Sequence, residues 1–214
     1  MSSNHAVRES VLSEPQSPAV RSVTPVGVDV GFRTLVAAAP RDGRVEDVFT
    51  IDGDHVERTL DALAVVDTAL DGAAFTDTAT RTAVAAAVWT HRLKGQVYGA
   101  AHRTVEFARS HPGAVLVVED LPAGDVPLAR WWRHDAFEAQ TWAVNALSRA
   151  LVEVAVEAGL PVVRVDPAGT STECHRCGET GRRERSVFEC TANPCTVDVV
   201  DADVNAALTV ASRV

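Results

Sequence analysis

Apolar positions first gather between residues 26 and 51, in three short runs separated by brief turns that contain Gly31 and Pro40. Short apolar runs bounded by glycine and proline are typical of β-strands. Connections this short join only strands that are antiparallel neighbours. We therefore predict a three-stranded meander with strands over Val26–Val30, Arg33–Ala39 and Arg44–Ile51.

The pattern then changes to a helical period. Between residues 53 and 110, apolar positions recur at helical spacing in an Ala-rich background that is interrupted near Asp71 and Gly72, which predicts two helices. The continuous apolar run Ala114–Val118 predicts a strand that is buried on both faces. Three more elements are predicted: a helix from about Asp135 to Ala158, a buried strand over Pro161–Val165, and a last helix over Asp203–Ser212.

A strand meander followed by a β-α-β unit and a last helix predicts an α/β fold of the RNase H-like (RuvC) kind, a mixed sheet with flanking helices. Residues 1–24 are polar and lack apolar periodicity, so we predict a flexible leader there. Residues 25–214 are then expected to form one domain, into which residues 170–200 insert as a zinc ribbon.

Charge and hydropathy limit the class of protein. No apolar stretch approaches the roughly 18 to 20 residues that span a bilayer, and no export signal is evident, so we expect a soluble, cytoplasmic protein without a membrane partner. The net charge of −9 argues against a protein that coats nucleic acid generally. Because Lys94 is the one lysine, local clusters of arginine matter more than the total charge.

Carboxylates fall at informative places in this order of elements: Asp29 inside the first strand, Glu119 at the end of the fourth, and Asp203 at the start of the last helix. Burying an unpaired charge in an apolar strand is costly, which favours a functional role for Asp29. If the first and fourth strands are neighbours, Asp29 and Glu119 converge at the strand ends where open α/β sheets bind ligands.

Three converging carboxylates repel one another unless a hard divalent cation neutralises them, so Mg²⁺ or Mn²⁺ is expected. Such a site suits two-metal hydrolysis of a phosphodiester, with the ions roughly 3.5 to 4 Å apart. Structural alternatives remain for two of the acids. Glu119 and Asp120 are also compatible with a strand that ends at the surface, and Asp203, beside Asp198 and Asp201, with a helix N-cap.

The cysteines form a cluster within 22 consecutive residues, which in a chain without an export signal favours a metal site over disulfides. Tetrahedral Zn²⁺ takes four thiolates at about 2.3 Å, and two knuckles joined by a hairpin supply them. Four residues separate the second pair, which is a longer spacing than usual. The predicted zinc ligands are Cys174, Cys177, Cys190 and Cys195, and His175 is a weaker alternative.

Four segments of the chain resemble the TnpB family of transposon-encoded, RNA-guided DNA endonucleases. The segments GVDVGFRTLVA, VVEDLP and DADVNAALTVA resemble its three RuvC motifs, and VDPAGTSTECHRCGE resembles the approach to its zinc ribbon. The resemblance implies that Asp29, Glu119 and Asp203 are the catalytic acids, the last lying two residues before Asn205, with Asp201 as the near competitor.

Two arginine-rich segments are candidate contacts with nucleic acid. The first interleaves cations with aromatic rings, a combination suited to stacking on unpaired bases, although tryptophans at a helix end are also compatible with a core. The second lies in the ribbon and suits backbone phosphates, although its charges could simply be solvated. The candidate residues are Arg130, Trp131 and Arg133 in the first segment, and Arg176, Arg182, Arg183 and Arg185 in the second.

The favoured hypothesis is a metal-dependent DNA endonuclease core. Family members carry a module that grips guide RNA and target DNA ahead of the first RuvC motif, whereas about 25 mostly polar residues precede it here. A guide RNA and a separate protein that supplies this module are therefore expected partners. The alternative is a catalytically silent, truncated or repurposed nucleic-acid-binding module. A Holliday-junction resolvase is disfavoured by the inserted ribbon.

Overall fold

A computed structural model of the protein describes residues 22–71, 77–121 and 136–214. The predicted leader therefore lies almost entirely outside the described residues. Its last position, Thr24, is the first residue of a strand. Among the described residues, no helix combines the length and the apolar character that crossing a membrane requires.

A five-stranded mixed sheet forms the centre of the molecule. Its strands are β1 (Thr24–Val30), β2 (Thr34–Pro40), β3 (Phe49–Asp52), β4 (Ala114–Glu119) and β5 (Val162–Val165). They lie in the order β3-β2-β1-β4-β5, with the first three antiparallel and with β4 and β5 parallel to β1. This is the predicted meander joined to a β-α-β unit.

The predicted third strand is wrong in its first half. A short 3-10 helix, Val45–Asp47, replaces the strand there, and β3 begins only at Phe49. Local polar contacts accompany this turn: the backbone amide of Arg44 donates to Oδ2 of Asp47 at 3.3 Å, and the Arg44 guanidinium pairs with Asp47 at 3.2 Å and with Glu46 at 3.1 Å. The alternation of apolar and polar residues does not indicate such contacts.

Helices cover the sheet as the apolar periodicity predicted. The helices are α1 (Asp54–Asp71), α2 (Thr78–Val88), α3 (Lys94–Arg109), α4 (Ala136–Glu157) and α5 (Ala202–Ser212). The predicted break near Asp71 coincides with the end of α1, whereas α2 continues through a π-helical turn, Trp89–Leu93, directly into α3. α4 ends one residue before the predicted end.

Two apolar cores result from this arrangement. The larger lies between the sheet and the helices α3 and α4, around buried residues such as Leu116, Leu147 and Leu151. The smaller joins α5 to the other face of the sheet and to a second, three-stranded sheet. That small sheet consists of β6 (Arg182–Glu184), β7 (Val187–Glu189) and β8 (Val199–Asp201).

Gly27 brings α5 unusually close to β1. A Cβ atom at this position would lie 2.2 Å from the carbonyl oxygen of Ala207 and 2.3 Å from the amide nitrogen of Ala211. Because only glycine leaves this space free, the helix backbone rests directly on the strand. The close contact holds α5, the helix that carries Asp203, against the strand that carries Asp29.

Candidate metal centres

Asp29 and Glu119 lie side by side at the ends of two neighbouring parallel strands. The register pairs Val28 of β1 with Val118 of β4, so Asp29 and Glu119 are the next residues along the two strands. Paired residues of parallel strands point to the same face of a sheet. The two carboxylates therefore face the same side of the sheet, at the edge that the sequence indicated.

Asp203 reaches the same place from α5. The helix N-cap is Asp201, whose carboxylate accepts hydrogen bonds from the amides of Asp203 at 3.0 Å and Val204 at 3.2 Å. Asp201, and not Asp203, is therefore the N-cap of α5. The Asp203 side chain is 14% exposed and is free of helix capping. We call Asp29, Glu119 and Asp203 together the acidic pocket.

The electrostatics of the acidic pocket show how closely its members interact. Burial raises the pKa of Asp29 to about 8, and the negative charges of Asp203 and Glu119 contribute to the rise. Burial also raises the pKa of Glu119. A buried carboxylate beside two further acids is a donor set that a hard divalent cation neutralises, so the chemistry of the pocket fits Mg²⁺ or Mn²⁺.

Arg183 is the cation that faces these acids. Its Nη2 atom donates to Oδ1 of Asp203 at 2.9 Å, and its charge lowers the pKa of both Asp29 and Glu119. Strand alternation explains the orientation: Arg183 pairs with Phe188, which pairs with Val200, and both apolar partners are buried. From the sequence, Arg183 was a candidate contact with backbone phosphates or else a solvated charge, and the alternation of β6 with β7 could have indicated that its side chain faces the acids.

Thr170 is a second residue whose place at the pocket the sequence did not indicate. Its side chain is 2% exposed, and its hydroxyl oxygen is hydrogen-bonded to Oε1 of Glu119 and to the carbonyl oxygen of Pro167. A threonine before a cysteine knuckle carries no spacing signal for such a contact. Only the fold, which places the loop after β5 beside the end of β4, makes the contact visible.

The cysteines form one compact cluster. The sulfur atoms of Cys174, Cys177, Cys190 and Cys195 all lie within 4.8 Å of one another. A tetrahedral ion with ligands at about 2.3 Å requires sulfur atoms about 3.8 Å apart. The closest pairs match this value, with 3.8 Å between Cys174 and Cys195 and 3.6 Å between Cys177 and Cys190. The cluster could therefore bind a metal such as zinc, and the long second knuckle reaches it.

His175 does not belong to the cysteine cluster. Its backbone amide and its Nδ1 atom both donate to Oδ1 of Asn205, at 3.1 Å and 2.9 Å. The amide of Asn205, which is fully buried in α5, donates in turn to the carbonyl oxygen of Glu173 at 2.7 Å. The first knuckle is thereby hydrogen-bonded to the helix that carries Asp203.

The ribbon arginines do not form one free cationic patch. Arg182 pairs with Glu189 at 2.5 Å and Arg183 pairs with Asp203, whereas Arg176 and Arg185 are exposed. Arg185 occupies the turn between β6 and β7 with φ 55°. The candidate contacts of the other segment, Arg130, Trp131 and Arg133, lie outside the described residues.

Metal-free protein is expected to lose stability as the pH rises from 5 to 7. In this range unfolded Asp29 is ionised while folded Asp29, with its pKa raised to about 8, keeps its proton. The folded state therefore binds more protons, and each pH unit costs about 1.4 kcal/mol, or about 3 kcal/mol in all.

The comparison is urea unfolding of the wild type and Asp29→Asn without added magnesium or manganese. The variant has no carboxylic acid at this position, so its stability should fall by about 3 kcal/mol less over the same pH range. Equal pH dependence of the two proteins would show that Asp29 is not buried beside the other acids.

Comparisons with known proteins find similar sequences over part of the chain and similar folds over most of it. A family model described as the Cas12f1-like TNB domain matches residues 145–210, a span that includes the cysteines, Arg183 and Asp203. A curated relative, the CRISPR-associated endodeoxyribonuclease Cas12f1 of Sulfoacidibacillus thermotolerans, is 36% identical over 75 residues. That match covers 34% of this chain and 17% of the relative.

Solved structures share the fold over most of the chain. A Cas12f1-sgRNA-target DNA complex matches 88% of this chain and 49% of its own with a TM-score of 0.66 and 14% identity. A CRISPR-Cas12f ternary complex matches 92% of this chain and 40% of its own with a TM-score of 0.60 and 13% identity. The mini-RNA-guided endonuclease CRISPR-Cas_phi3 matches 89% and 44% with a TM-score of 0.53 and 14% identity.

The chain thus spans about half or less of the proteins it matches. The shared fold confirms the predicted RuvC-like architecture, a mixed sheet with flanking helices beside a cysteine cluster. Together with the family-model match and the curated relative, it supports the placement of this chain in the TnpB/Cas12f-like family of RNA-guided endonucleases.

Proposed function

We propose that this chain is the catalytic RuvC-like core of a divalent-metal-dependent DNA endonuclease. The observation that carries the proposal is the convergence of Asp29, Glu119 and Asp203, from β1, β4 and α5, in one pocket, where burial and the charges of the other two acids raise the pKa of Asp29. A purely structural role does not explain three acids gathered at the ligand-binding edge of a sheet.

In this proposal the acidic pocket holds Mg²⁺ or Mn²⁺, through the carboxylates of Asp29, Glu119 and Asp203. Bound divalent cations supply Lewis acidity at a phosphodiester and neutralise charge that develops during its hydrolysis, which is the chemistry of two-metal nucleases. The protein's own part is to fix three ligands from separate elements. β1 and β4 are held in register, and α5 is held against Gly27.

Arg183 is the proposed contact for the substrate backbone beside the pocket. Its guanidinium has the fork geometry that binds phosphate oxygens, and it already lies at the acids that would hold the cations. With a cation bound at Asp203, the Arg183 guanidinium would be free to contact a phosphate. Arg176 and Arg185, exposed on the same ribbon, are proposed as weaker backbone contacts.

The cysteine cluster is proposed to hold structural Zn²⁺ within a ribbon over residues 170–200, inserted in a single domain over residues 25–214. The matching sulfur distances support zinc. With all four ligands supplied by cysteine, the site is closed, which is typical of a structural ion and leaves no position for a substrate.

The proposed partners are DNA and a guide RNA, because the solved neighbours include a Cas12f1-sgRNA-target DNA complex. In such systems base pairing with the guide reads the sequence, while the protein supplies the chemistry and recognises shape. Because the chain spans 49% of that neighbour, we further propose that a separate protein segment supplies the grip on guide and target.

The test is Mn²⁺-dependent cleavage of single-stranded DNA by the wild-type protein and by Asp29→Ala. We expect cleavage by the wild type that requires Mn²⁺, and none by the variant, which loses a cation ligand. Equal cleavage by both proteins would remove the enzyme assignment. DNA binding without any cleavage by either protein would instead support a silent nucleic-acid-binding module.

A further inference from the structure

Thr170 makes two hydrogen bonds, and its own turn explains only one of them. Its hydroxyl oxygen lies 2.9 Å from the carbonyl oxygen of Pro167, a turn contact that threonine often makes. The same oxygen is hydrogen-bonded to Oε1 of Glu119, which is 51 residues away in the chain. Thr170 is therefore the residue through which the loop after β5 touches the acidic pocket.

The Thr170 hydroxyl has one proton to donate and two acceptors within reach. The carbonyl oxygen of Pro167 and an ionised Glu119 both accept only, so the proton goes to one of them. Hydrogen bonds to a carboxylate are roughly twice as strong as those between neutral groups. With Glu119 ionised, as a cation ligand must be, Thr170 donates to Glu119 and fixes one of its oxygens.

The loop that carries Thr170 is anchored on its other side. The carbonyl oxygen of Glu173 accepts from Asn205 at 2.7 Å, and the Glu173 carboxylate pairs with Arg213 at 2.7 Å. Both partners belong to α5 or its C-cap. The loop is thus held to the helix that carries Asp203, and a hydroxyl placed on this loop has a fixed position relative to the pocket.

We propose that Thr170 is a positioning residue, which holds the Glu119 carboxylate in the orientation that binds a divalent cation together with Asp29 and Asp203. The inference rests on the proposed function, because it assumes that the acidic pocket binds Mg²⁺ or Mn²⁺. A partner that orients a metal ligand typically contributes about 10- to 100-fold to metal affinity, so its loss should be measurable.

The experiment measures Mn²⁺ affinity directly, from the electron paramagnetic resonance signal of free Mn²⁺ at increasing protein concentration. Thr170→Val removes the hydroxyl at constant shape, and Thr170→Ser restores it. Thr172→Val is the matched control, because the Thr172 hydroxyl donates to the carbonyl oxygen of Gly169 at 3.3 Å in the same loop. Zinc content of each variant reports whether the ribbon is folded.

We expect Thr170→Val to bind Mn²⁺ about tenfold more weakly, with its zinc content unchanged, while Thr170→Ser and Thr172→Val bind like the wild type. Wild-type affinity in Thr170→Val would overturn the positioning role. So would equal losses in all three variants, since these would reflect the loop as a whole. If the wild-type protein itself binds no Mn²⁺, the proposed function fails, and the inference fails with it.

Discussion

The Glu119→Gln protein is expected to cleave DNA more than about 100-fold more slowly than the wild type, whereas Asp120→Asn should cleave at nearly the wild-type rate. Partners that merely orient a metal ligand typically contribute about 10- to 100-fold to affinity or activity, so a ligand itself should contribute more. Glutamine keeps the shape of the side chain and removes the charge that a divalent cation requires.

Asp120 is a matched control because it is the adjacent carboxylate but faces elsewhere. Its Oδ1 atom pairs with Nη1 of Arg164 at 3.2 Å, and both side chains are more than half exposed. Exposed ion pairs typically contribute about 0 to 1 kcal/mol, so Asp120→Asn should remain folded. The measurement is the rate of Mn²⁺-dependent cleavage of a labelled single strand. Equal rates for the two variants would contradict the assignment of Glu119 to the pocket.

Removal of zinc is expected to unfold the ribbon and to loosen the start of α5. Structural zinc typically contributes an apparent binding free energy of about 10 to 16 kcal/mol to folding. The buried residues of the ribbon, Cys174, Phe188 and Val200, pack in one core with Ala202 and Leu208 of α5. A ribbon that unfolds therefore uncovers the helix that carries Asp203.

Hydrogen exchange of Cys174→Ser measures this effect. We expect amide protection to be lost over residues 173–200 and reduced in the first turn of α5, while β1 and β4 keep their protection. Glu179→Gln, an exposed change next to the first knuckle, should behave like the wild type and retain one zinc ion per chain. Unchanged protection in Cys174→Ser would show that the ribbon folds without a metal.

The central sheet could be predicted from the sequence because each strand carries its own signal. Short apolar runs between glycine and proline marked β1 and β2, and a continuous apolar run marked β4. The strand predicted over Arg44–Ile51 was wrong in its first part, where a 3-10 turn with local polar contacts of Arg44 precedes β3. Hydrophobic patterns report burial and carry no information about such local polar contacts.

Asp29 could be predicted because an unpaired charge inside an apolar strand is rare, whereas Glu119 and Asp203 had structural alternatives and were selected by their resemblance to the family motifs. Their roles as cation ligands stay predictions, which the experiments above address. The surroundings of the pocket could not be predicted in the same way. Thr170 and Arg183 reach the acids across 51 and 20 residues of chain, and both contacts depend on how a loop and a small sheet are docked on the main sheet.

The docking of the ribbon has a functional consequence in this account. The ribbon supplies Arg183 to Asp203, its approach supplies Thr170 to Glu119, and its first knuckle is hydrogen-bonded to Asn205 of α5. All three contacts join residues 170–183 to the acidic pocket or to α5, the helix that carries Asp203. The two candidate metal centres are therefore mechanically connected, and zinc binding is expected to favour the arrangement of acids that binds Mg²⁺ or Mn²⁺.

Anomalous diffraction from a crystal of the wild-type protein soaked in Mn²⁺ tests the acidic pocket most directly. We predict a manganese peak that contacts the carboxylates of Asp29, Glu119 and Asp203, with the guanidinium of Arg183 moved off Asp203. The same soak of Asp29→Asn should give a weaker peak or none. A wild-type crystal whose three carboxylates stay together with no manganese between them, or in which they lie apart, would contradict the account.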